Sequence, residues 1–231
     1  MKSYIKTHSW AYNLLAKIYR FLKCNKVIVR GRWNQYSLNV PGLFLAHARI
    51  VIHGDNNKLI FLPNKLGEVT HFTKLNITIH GNNNIITIGS CSSGSNFSIC
   101  MEDDNNRVVL GRKFTVGPHT ELAAIEGTTI EFGDDCMLSA NITLRTGDSH
   151  SITDLQGNRT NPSKSIKIGN HVWIGNTVLL FKGTQVADNS IVAGGTVGGG
   201  GKIYPSHSII GGNPGRVIKE GVNWDRRRLP L

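Results

Sequence analysis

Residues 168–215 divide without interruption into eight six-residue units, which read IGNHVW, IGNTVL, LFKGTQ, VADNSI, VAGGTV, GGGGKI, YPSHSI and IGGNPG. The first position is aliphatic in six of the eight units, at Ile168, Ile174, Leu180, Val186, Val192 and Ile210. The second position is mostly Gly or Ala, and the fifth is mostly small or β-branched. A period of six matches neither an α-helix nor a simple alternating strand. Each unit is therefore predicted to be a short strand followed by a turn.

This repeat predicts an all-β fold in which the backbone winds as a parallel β-helix. Stacked coils would turn the first and fifth positions inward, and glycines in the turns would adopt backbone angles that larger residues resist. Similar units begin at Leu110 (LGRKFT, VGPHTE) and at Phe132 (FGDDCM, LSANIT), where Cys136 takes an inward position and is predicted to be a core residue. Further upstream, an Asn-rich turn followed by a hydrophobic strand predicts less regular coils at 53–60, 80–89 and 102–111.

The length of 231 residues is enough for one domain with a substantial core. We expect four segments: a basic, helical segment at 1–40, irregular coils at 41–109, hexad coils at 110–215 with an extruded active-site loop at 145–166, and a basic tail at 216–231. The terminal segments are predicted to cap the stack, because an open end coil would expose its core.

Residues 9–23 (SWAYNLLAKIYRFLK) predict a short helix. Their apolar side chains recur close to helical spacing at Trp10, Leu14, Ile18, Phe21 and Leu22, with basic residues on other faces. Two interpretations stay open for the apolar face. It packs on its own domain or on a sister subunit, or it lies on a membrane surface.

The formal net charge is +11, and basic residues crowd both ends of the chain. An acidic partner is therefore expected. No helix-turn-helix, zinc-finger or aromatic-basic strand pattern accompanies the charge, so nucleic acid ranks below an anionic glycan, a phosphate-bearing cofactor or a membrane surface. The four cysteines lack metal-ligand spacing, and the N-terminus lacks an apolar stretch of the signal-peptide type. These features predict a cytoplasmic location.

Three further segments carry a family resemblance: RTGDSHSI at 145–152, IGNHVWIG at 168–175 and IIGGNPGRVIKE at 209–220. Together with the hexads, they resemble the hexapeptide-repeat acetyltransferases, which have a left-handed parallel β-helix. Within that family the likeness is to bacterial O-acetyltransferases of capsule and lipopolysaccharide sugars, including those that act on sialic acid polymers. The resemblance implies acetyl-coenzyme A as acyl donor, a sugar or polysaccharide acceptor, and a homotrimer with active sites between subunits.

Between Leu144 and Ile166 the repeat stops, and the polar segment RTGDSHSITDLQGNRTNPSKS intrudes. Loops ejected from a solenoid often carry function. His150 lies in this loop, 23 positions before Trp173, and the resemblance implies that it is the general base for a sugar hydroxyl. Asp148 would orient the imidazole, although a turn-forming Asp after Gly147 explains it equally well.

The resemblance also implies a donor site. Trp173, at an outward sixth position, would flank the cofactor arm or the acceptor. The other predicted donor-site residues are Asn176, Gly194, Gly199 and Gly200 along the arm, and Arg216 with Lys219 at the phosphates. Candidates for an anionic acceptor are Arg145, Arg159 and Lys182, with Glu126 facing the same site from an earlier coil. His171, at a turn position of its hexad, is predicted to be solvated.

Alternatives to this reaction stay open. Three histidines hold zinc in carbonic anhydrases that share the β-helix, but the solenoid part of this sequence has no close histidine pair with a matching third, so no metal is expected. The acceptor would otherwise be the amine of a nucleotide-linked amino sugar. A non-catalytic solenoid would bind glycan or membrane through its basic face. The charge also predicts peripheral contact with the inner face of a membrane.

Overall fold

The structure is a computed structural model that describes residues 9–230, with side chains throughout except at residues 9, 11, 12, 20 and 21. Its helix is α1 (Ser9–Leu22). The strands, in chain order, are β1 (Lys26–Arg30), β2 (Gln35–Tyr36), β3 (Leu43–Ala46), β4 (Arg49–His53), β5 (Lys58–Phe61), β6 (Thr70–His80), β7 (Ile85–Ile88), β8 (Ser93–Glu102), β9 (Arg107–Leu110), β10 (Thr115–Val116), β11 (Thr120–Ile125), β12 (Thr129–Phe132), β13 (Met137–Leu138), β14 (Thr143–Arg145), β15 (Ile166–Ile168), β16 (Trp173–Ile174), β17 (Leu179–Phe181), β18 (Gln185–Val186), β19 (Ile191–Val192), β20 (Val197–Gly198), β21 (Ile203–Tyr204), β22 (Ser208–Gly211) and β23 (Arg216–Glu220).

The strands wind into a three-sided coil, and strands one coil apart pair in parallel. Face 1 contains β10, β13, β16, β19 and β22, face 2 contains β11, β14, β17 and β20, and face 3 contains β9, β12, β15, β18 and β21. Upstream strands extend these faces, and the long β8 pairs with both β10 and β11. On face 1, Trp173 pairs with Ile191 and Ile191 with Ile209, so one coil takes 18 residues, or three hexads. The predicted all-β, parallel architecture is confirmed.

The first and fifth positions of the hexads fill the interior, as the repeat predicts. Every first position from Ile168 to Ile210 is buried. Buried hydroxyls at fifth positions are satisfied locally, since Thr184 and Thr196 donate to carbonyl oxygens three residues earlier at 2.7 and 2.6 Å. Cys136 is fully buried in the same core, which confirms its predicted place.

In the first seven units the fourth residue makes the tight turn. Its φ lies in the left-handed region, at 52° for His171, 58° for Thr177 and 56° for His207. The prediction that glycines in the turns adopt such angles is confirmed at Gly183, Gly195 and Gly201, where φ is 79°, 74° and 73°. The second-position glycines have a different purpose, because a Cβ on Gly169 would lie 2.8 Å from the backbone nitrogen of Asp188 in the next coil. Close approach between coils excludes a side chain there.

Buried asparagines hold the less regular upstream coils together. The side-chain oxygen of Asn57 accepts the backbone N–H of Asn84 at 2.9 Å, that of Asn84 accepts from Asn106 at 2.8 Å, and that of Asn106 accepts from Thr128 at 3.1 Å. The ladder continues from the Thr128 hydroxyl to the Thr146 hydroxyl at 2.6 Å. This ladder is the physical basis of the Asn-rich turns in the sequence. Each side chain satisfies a backbone donor that the turn leaves unpaired.

The terminal segments pack on the two ends of the stack. Helix α1 packs against β3, where the Tyr19 ring lies 5.5 Å from the ring of Phe44. Strand β1 already pairs with β4, so the stacked coils begin inside the segment 1–40. At the other end β23 turns back and pairs antiparallel with β22.

The four cysteines provide a test of this packing. Cys24 is exposed, whereas burial raises the pKa of the Cys136 thiol to about 12. Because the thiolate is the nucleophile that attacks a disulfide reagent, the exposed Cys24 is expected to react readily at pH 8 and the buried Cys136 only after denaturation. Titration with dithionitrobenzoate checks this, and Cys24→Ser should remove the fast-reacting thiol. A Cys136 that reacts in the native protein as fast as Cys24 would contradict the packing.

Candidate active site

The corner between faces 2 and 3 carries most of the predicted catalytic residues. In successive coils it contains residues 126–128, 146–165, 182–184 and 199–202, and we call it the loop corner. Here Ile130 pairs with Ile166, 36 positions on, whereas Lys167 pairs with Gln185, 18 positions on. The loop is therefore an insertion of one coil's length at one corner, and the strands on either side keep their register.

His150 is exposed on this loop. Its backbone carbonyl oxygen accepts an N–H of the Asn161 side chain at 2.8 Å. Within residues 9–230, no group hydrogen-bonds to its imidazole. Both ring nitrogens are therefore open to an incoming molecule, as a general base requires.

Asn161 fixes the loop on both sides of His150, and sequence reasoning missed it. Although it lies in a polar loop, it is only 6% exposed. Its side-chain nitrogen donates to the His150 carbonyl oxygen at 2.8 Å and to Asp148 Oδ2 at 2.7 Å. Its side-chain oxygen accepts from the Ile152 backbone N–H at 2.7 Å and from Arg159 Nε at 3.1 Å. The backbone around His150 thus depends on one amide.

Asp148 does not touch the imidazole of His150. Its carboxylate accepts hydrogen bonds from the Lys182 ammonium and from Asn161. These two bonds, the one from Lys182 first, hold the pKa of Asp148 below its usual value. The expectation that Asp148 orients the ring directly is not met, because the carboxylate ties the loop to the next coil instead.

Two of the residues predicted to bind the acceptor, Glu126 and Arg159, also hold the loop in place. Glu126 lies 2.7 Å from the Arg159 guanidinium and accepts the Ser163 hydroxyl at 2.7 Å. The Ser163 bond and then the Arg159 bond lower the pKa of Glu126. Arg145, at the end of face 2, lies 3.4 Å from Glu121. Each of these residues has a partner within the chain, and a role in acceptor binding stays a prediction.

A groove of about 370 Å³ opens at the loop corner, two coils beyond the loop. A Cβ on Gly200 would meet no atom within 4 Å, whereas one on Gly199 would lie 3.3 Å from Cβ of Phe181. Phe181 precedes Lys182, which holds Asp148 of the loop. The groove and the His150 loop therefore lie at the same corner, linked through Phe181 and Lys182. Its lining residues are Phe181, Val197, Gly198, Gly199, Gly200, Lys202, Asn213, Pro214 and Gly215.

The remaining predicted donor-site residues lie elsewhere on the coil. Trp173 is on β16 of face 1, and Asn176 and Gly194 lie at the corner between faces 1 and 2. Arg216 and Lys219 are exposed on β23, beside face 1. Within one chain, the structure thus divides the predicted site residues into a loop-corner group and a face-1 group.

The tail after β23 returns to face 1 and docks beside Trp173, which is 37% exposed. The Trp224 ring stacks on the His171 ring with 4.1 Å between centroids and lies 6.2 Å from the Trp173 ring. His171 Nδ1 lies 2.7 Å from Asp135 Oδ2, and Nε2 lies 2.9 Å from the Trp224 carbonyl oxygen. The prediction that His171 is solvated is wrong, because the tail covers one face of its ring and both nitrogens are occupied.

Arg226 anchors this tail. Its Nε lies 2.9 Å from Asp135 Oδ1, and its other nitrogens donate to the Thr115 hydroxyl at 2.9 Å and to the Cys136 carbonyl oxygen at 3.0 Å. The partners are about 90 to 110 positions earlier in the chain. No local pattern in the sequence indicates this contact.

Comparisons with known proteins agree with this geometry. A scan against models of protein families finds no match. The chain is 31% identical over 150 residues to a polysialic acid O-acetyltransferase of Neisseria meningitidis, covering 64% of this chain and 66% of that protein. It is 30% identical over 122 residues to a polysialic acid O-acetyltransferase of Escherichia coli O1:K1, covering 52% of this chain and 39% of that protein. The match therefore spans less than two thirds of either relative.

Among solved structures, the polySia-specific acetyltransferase NeuO superposes with a TM-score of 0.78 at 28% identity, over 87% of this chain and 82% of that one. The chain thus resembles the hexapeptide-repeat acetyltransferases in both sequence and structure. Its β-helix is the left-handed type found in hexapeptide-repeat acetyltransferases. The predicted resemblance and the predicted fold class are confirmed.

Residues 9–230 contain neither a metal-binding cluster nor a membrane-spanning helix. No group of three or more His, Cys, Asp or Glu side chains is placed to hold a metal ion in this range. Nor is any helix within it long and apolar enough to cross a membrane.

Replacement of Asn161 by Ala is expected to loosen the loop. The change leaves the Ile152 N–H and the His150 carbonyl without a partner, at about 1–3 kcal/mol each. Trypsin should then cut after Arg159 roughly tenfold faster or more. Mass spectrometry of the fragments measures this rate. Asn158→Ala is the matched control, since Asn158 bonds only to Asp154 at the exposed tip. Equal rates in the two variants would show that Asn161 does not hold the loop.

Proposed function

We propose that this protein is an acetyl-coenzyme A-dependent O-acetyltransferase that modifies a sugar hydroxyl of a bacterial surface polysaccharide or its precursor. One observation carries the proposal: the exposed imidazole of His150 stands on a braced loop at the same corner of the coil as a glycine-rich groove. Similarity to proteins named as O-acetyltransferases and to a solved acetyltransferase structure supports the reaction class. The relatives from Neisseria and Escherichia are named for O-acetyl transfer to polysialic acid, which supports a polysaccharide acceptor.

The proposed reaction is a direct transfer. A ring nitrogen of His150 takes the proton of the acceptor hydroxyl while its oxygen attacks the carbonyl carbon of the thioester. The carbon–sulfur bond breaks, coenzyme A leaves as a thiolate, and the imidazolium returns the proton to sulfur. Backbone N–H groups would stabilise the negative charge that develops on the carbonyl oxygen. Atoms and charges balance without a covalent enzyme intermediate.

The residues fit an acyl donor of this kind. No side chain projects from the groove wall at Gly199 and Gly200, so a pantetheine arm could reach backbone groups at these positions. Arg216 and Lys219 are exposed, and neither forms an ion pair with another residue of the range 9–230. They are therefore available for phosphate groups.

We propose that the working form is a homotrimer. The division of the site residues supports it, because His150 and Trp173 lie on different sides of the coil of one chain. A second copy that brings its face 1 against the loop corner of the first would reunite the two groups. Three such clefts close a ring of cyclic symmetry.

We further propose a cytoplasmic location at the inner face of the membrane. All four cysteines are free, which is compatible with a reducing compartment.

His150→Ala is expected to lower kcat by about a hundred- to ten-thousand-fold while acetyl-coenzyme A binding changes little. The reason is that the variant loses only the group that removes the hydroxyl proton. Acetyl transfer is followed by release of free coenzyme A, and donor binding by calorimetry. His80→Ala removes an exposed imidazole from β6 and is the matched control. Near-normal turnover of His150→Ala would remove this residue from the mechanism.

Acceptor choice separates the proposed reaction from its rivals. Screening acetyl transfer to hydroxyl-bearing sialic acid polymers and to nucleotide-linked amino sugars should give product with the polymers. Product with the amino sugars alone would establish N-acetylation instead. If folded protein binds no acetyl-coenzyme A at all, a non-catalytic solenoid is the better description.

Mixed trimers test the shared site. His150→Ala and Trp173→Ala subunits, each impaired alone, are co-expressed in equal amounts. If each site takes His150 from one copy and Trp173 from the next, about a quarter of the sites in random trimers are intact, and that share of wild-type activity should return. A mixture no more active than the average of the two separate variants would place both residues in the site of one chain.

A further inference from the structure

The first 54 residues of the sequence contain no Asp or Glu. The first Asp or Glu in the chain is Asp55, whereas nine Lys or Arg precede it. Those nine account for most of the net charge of +11. The basic side chains among these residues that the structure describes are all exposed, at Lys17, Lys23, Lys26, Arg30, Arg32 and Arg49.

Contacts of Ala16 and Tyr19 with the first coils fix which side of helix α1 faces the protein. Ala16 is 1% exposed, and the Tyr19 ring packs edge-on against Phe44 at 5.5 Å. The Tyr19 hydroxyl also lies 3.3 Å from Nε2 of His71. The side of the helix that carries Ala16 and Tyr19 therefore faces the first coils, and the opposite side must face outward.

That outward side is apolar. Its exposed fractions are 65% for Trp10, 49% for Leu14, 42% for Leu15, 44% for Ile18 and 67% for Leu22. At roughly 100° per residue these five side chains fill one continuous arc of about 140°. A contiguous apolar arc of this size on an exposed helix marks an interaction surface.

We propose that this face of α1 docks on an anionic lipid bilayer. The five apolar side chains would enter the boundary between headgroups and acyl chains, with the helix lying flat, while Lys17, at the edge of the apolar arc, contacts anionic headgroups. Both the apolar arc and the excess of basic over acidic residues in the first 54 positions are what such a surface recognises. The inference deepens the location proposed above, and its test does not depend on acetyl transfer.

Two other occupants fit the same observations less well. A polyanionic glycan would use the cations but has no apolar surface to cover the five side chains. A second copy of the N-terminal end would cover the side chains but would bring two cationic surfaces together, which like-charge repulsion opposes. A bilayer of anionic lipid satisfies both features at once.

Vesicle co-sedimentation of the full chain tests the proposal. The protein should bind vesicles that contain about a third phosphatidylglycerol and bind pure phosphatidylcholine weakly. Leu14→Glu/Ile18→Glu should weaken binding to the anionic vesicles by about tenfold or more, because two charges would have to enter the apolar boundary. Leu66→Glu/Ile203→Glu is the matched control, since it makes the same charge change at two exposed apolar side chains away from the helix.

The outcomes are distinct. Equal loss in both double variants means that binding responds to net charge alone, and the apolar face is not the docking surface. If the wild-type protein does not co-sediment with anionic vesicles, the proposal is also overturned. A change of oligomer mass in the helix variant, measured by light scattering, would assign the face to a second copy. Circular dichroism establishes that each variant is folded, and acetyl transfer in solution should be unchanged in both.

Discussion

The fold depends on hydrogen bonds between successive coils. From β1 to β22, each strand pairs in parallel with a strand one coil away, so the number of residues per coil is fixed wherever the faces are regular, as it is from Trp173 to Ile209. Additional residues cannot be absorbed along a face without shifting all later side chains from inside to outside. They must leave at a corner. The 18-residue insertion before Ile166 obeys this constraint and restores the register on its far side.

The same constraint makes the candidate site. The loop starts where the polar ladder of the upstream corners ends, at Thr146, and its return is held by contacts to the coils before and after it. Within this frame Asn161 sets the backbone on both sides of His150 and leaves the imidazole unengaged. The acidic and basic residues predicted for the site thus form ion pairs with one another, Glu126 with Arg159 and Asp148 with Lys182. These pairs fix the position of a loop that is otherwise exposed and that carries the proposed base, His150.

Much of this could be predicted from the sequence, because the hexad period is local and each position has one environment. The inward residues, the buried Cys136, the helix over residues 9–22 and the position of the loop all follow from spacing. The sequence could not indicate that His171 is covered, since its cover is Trp224, 53 positions away. Nor could it reveal Asn161, because an Asn before Pro in a polar loop has many uses. Contacts between segments without a period have no signature in composition or spacing.

The docking of Arg226 changes how the stack should come apart. A simple solenoid frays from its end, one coil after another, since each coil touches only its neighbours. Here the tail leaves the last coil, and its Arg226 bonds to Thr115 and Asp135 in earlier coils. The tail therefore links the last coil to coils further back in the stack. The terminal coils cannot separate until that link is released. The part of the molecule that carries the glycine groove therefore resists stepwise fraying and opens as a unit.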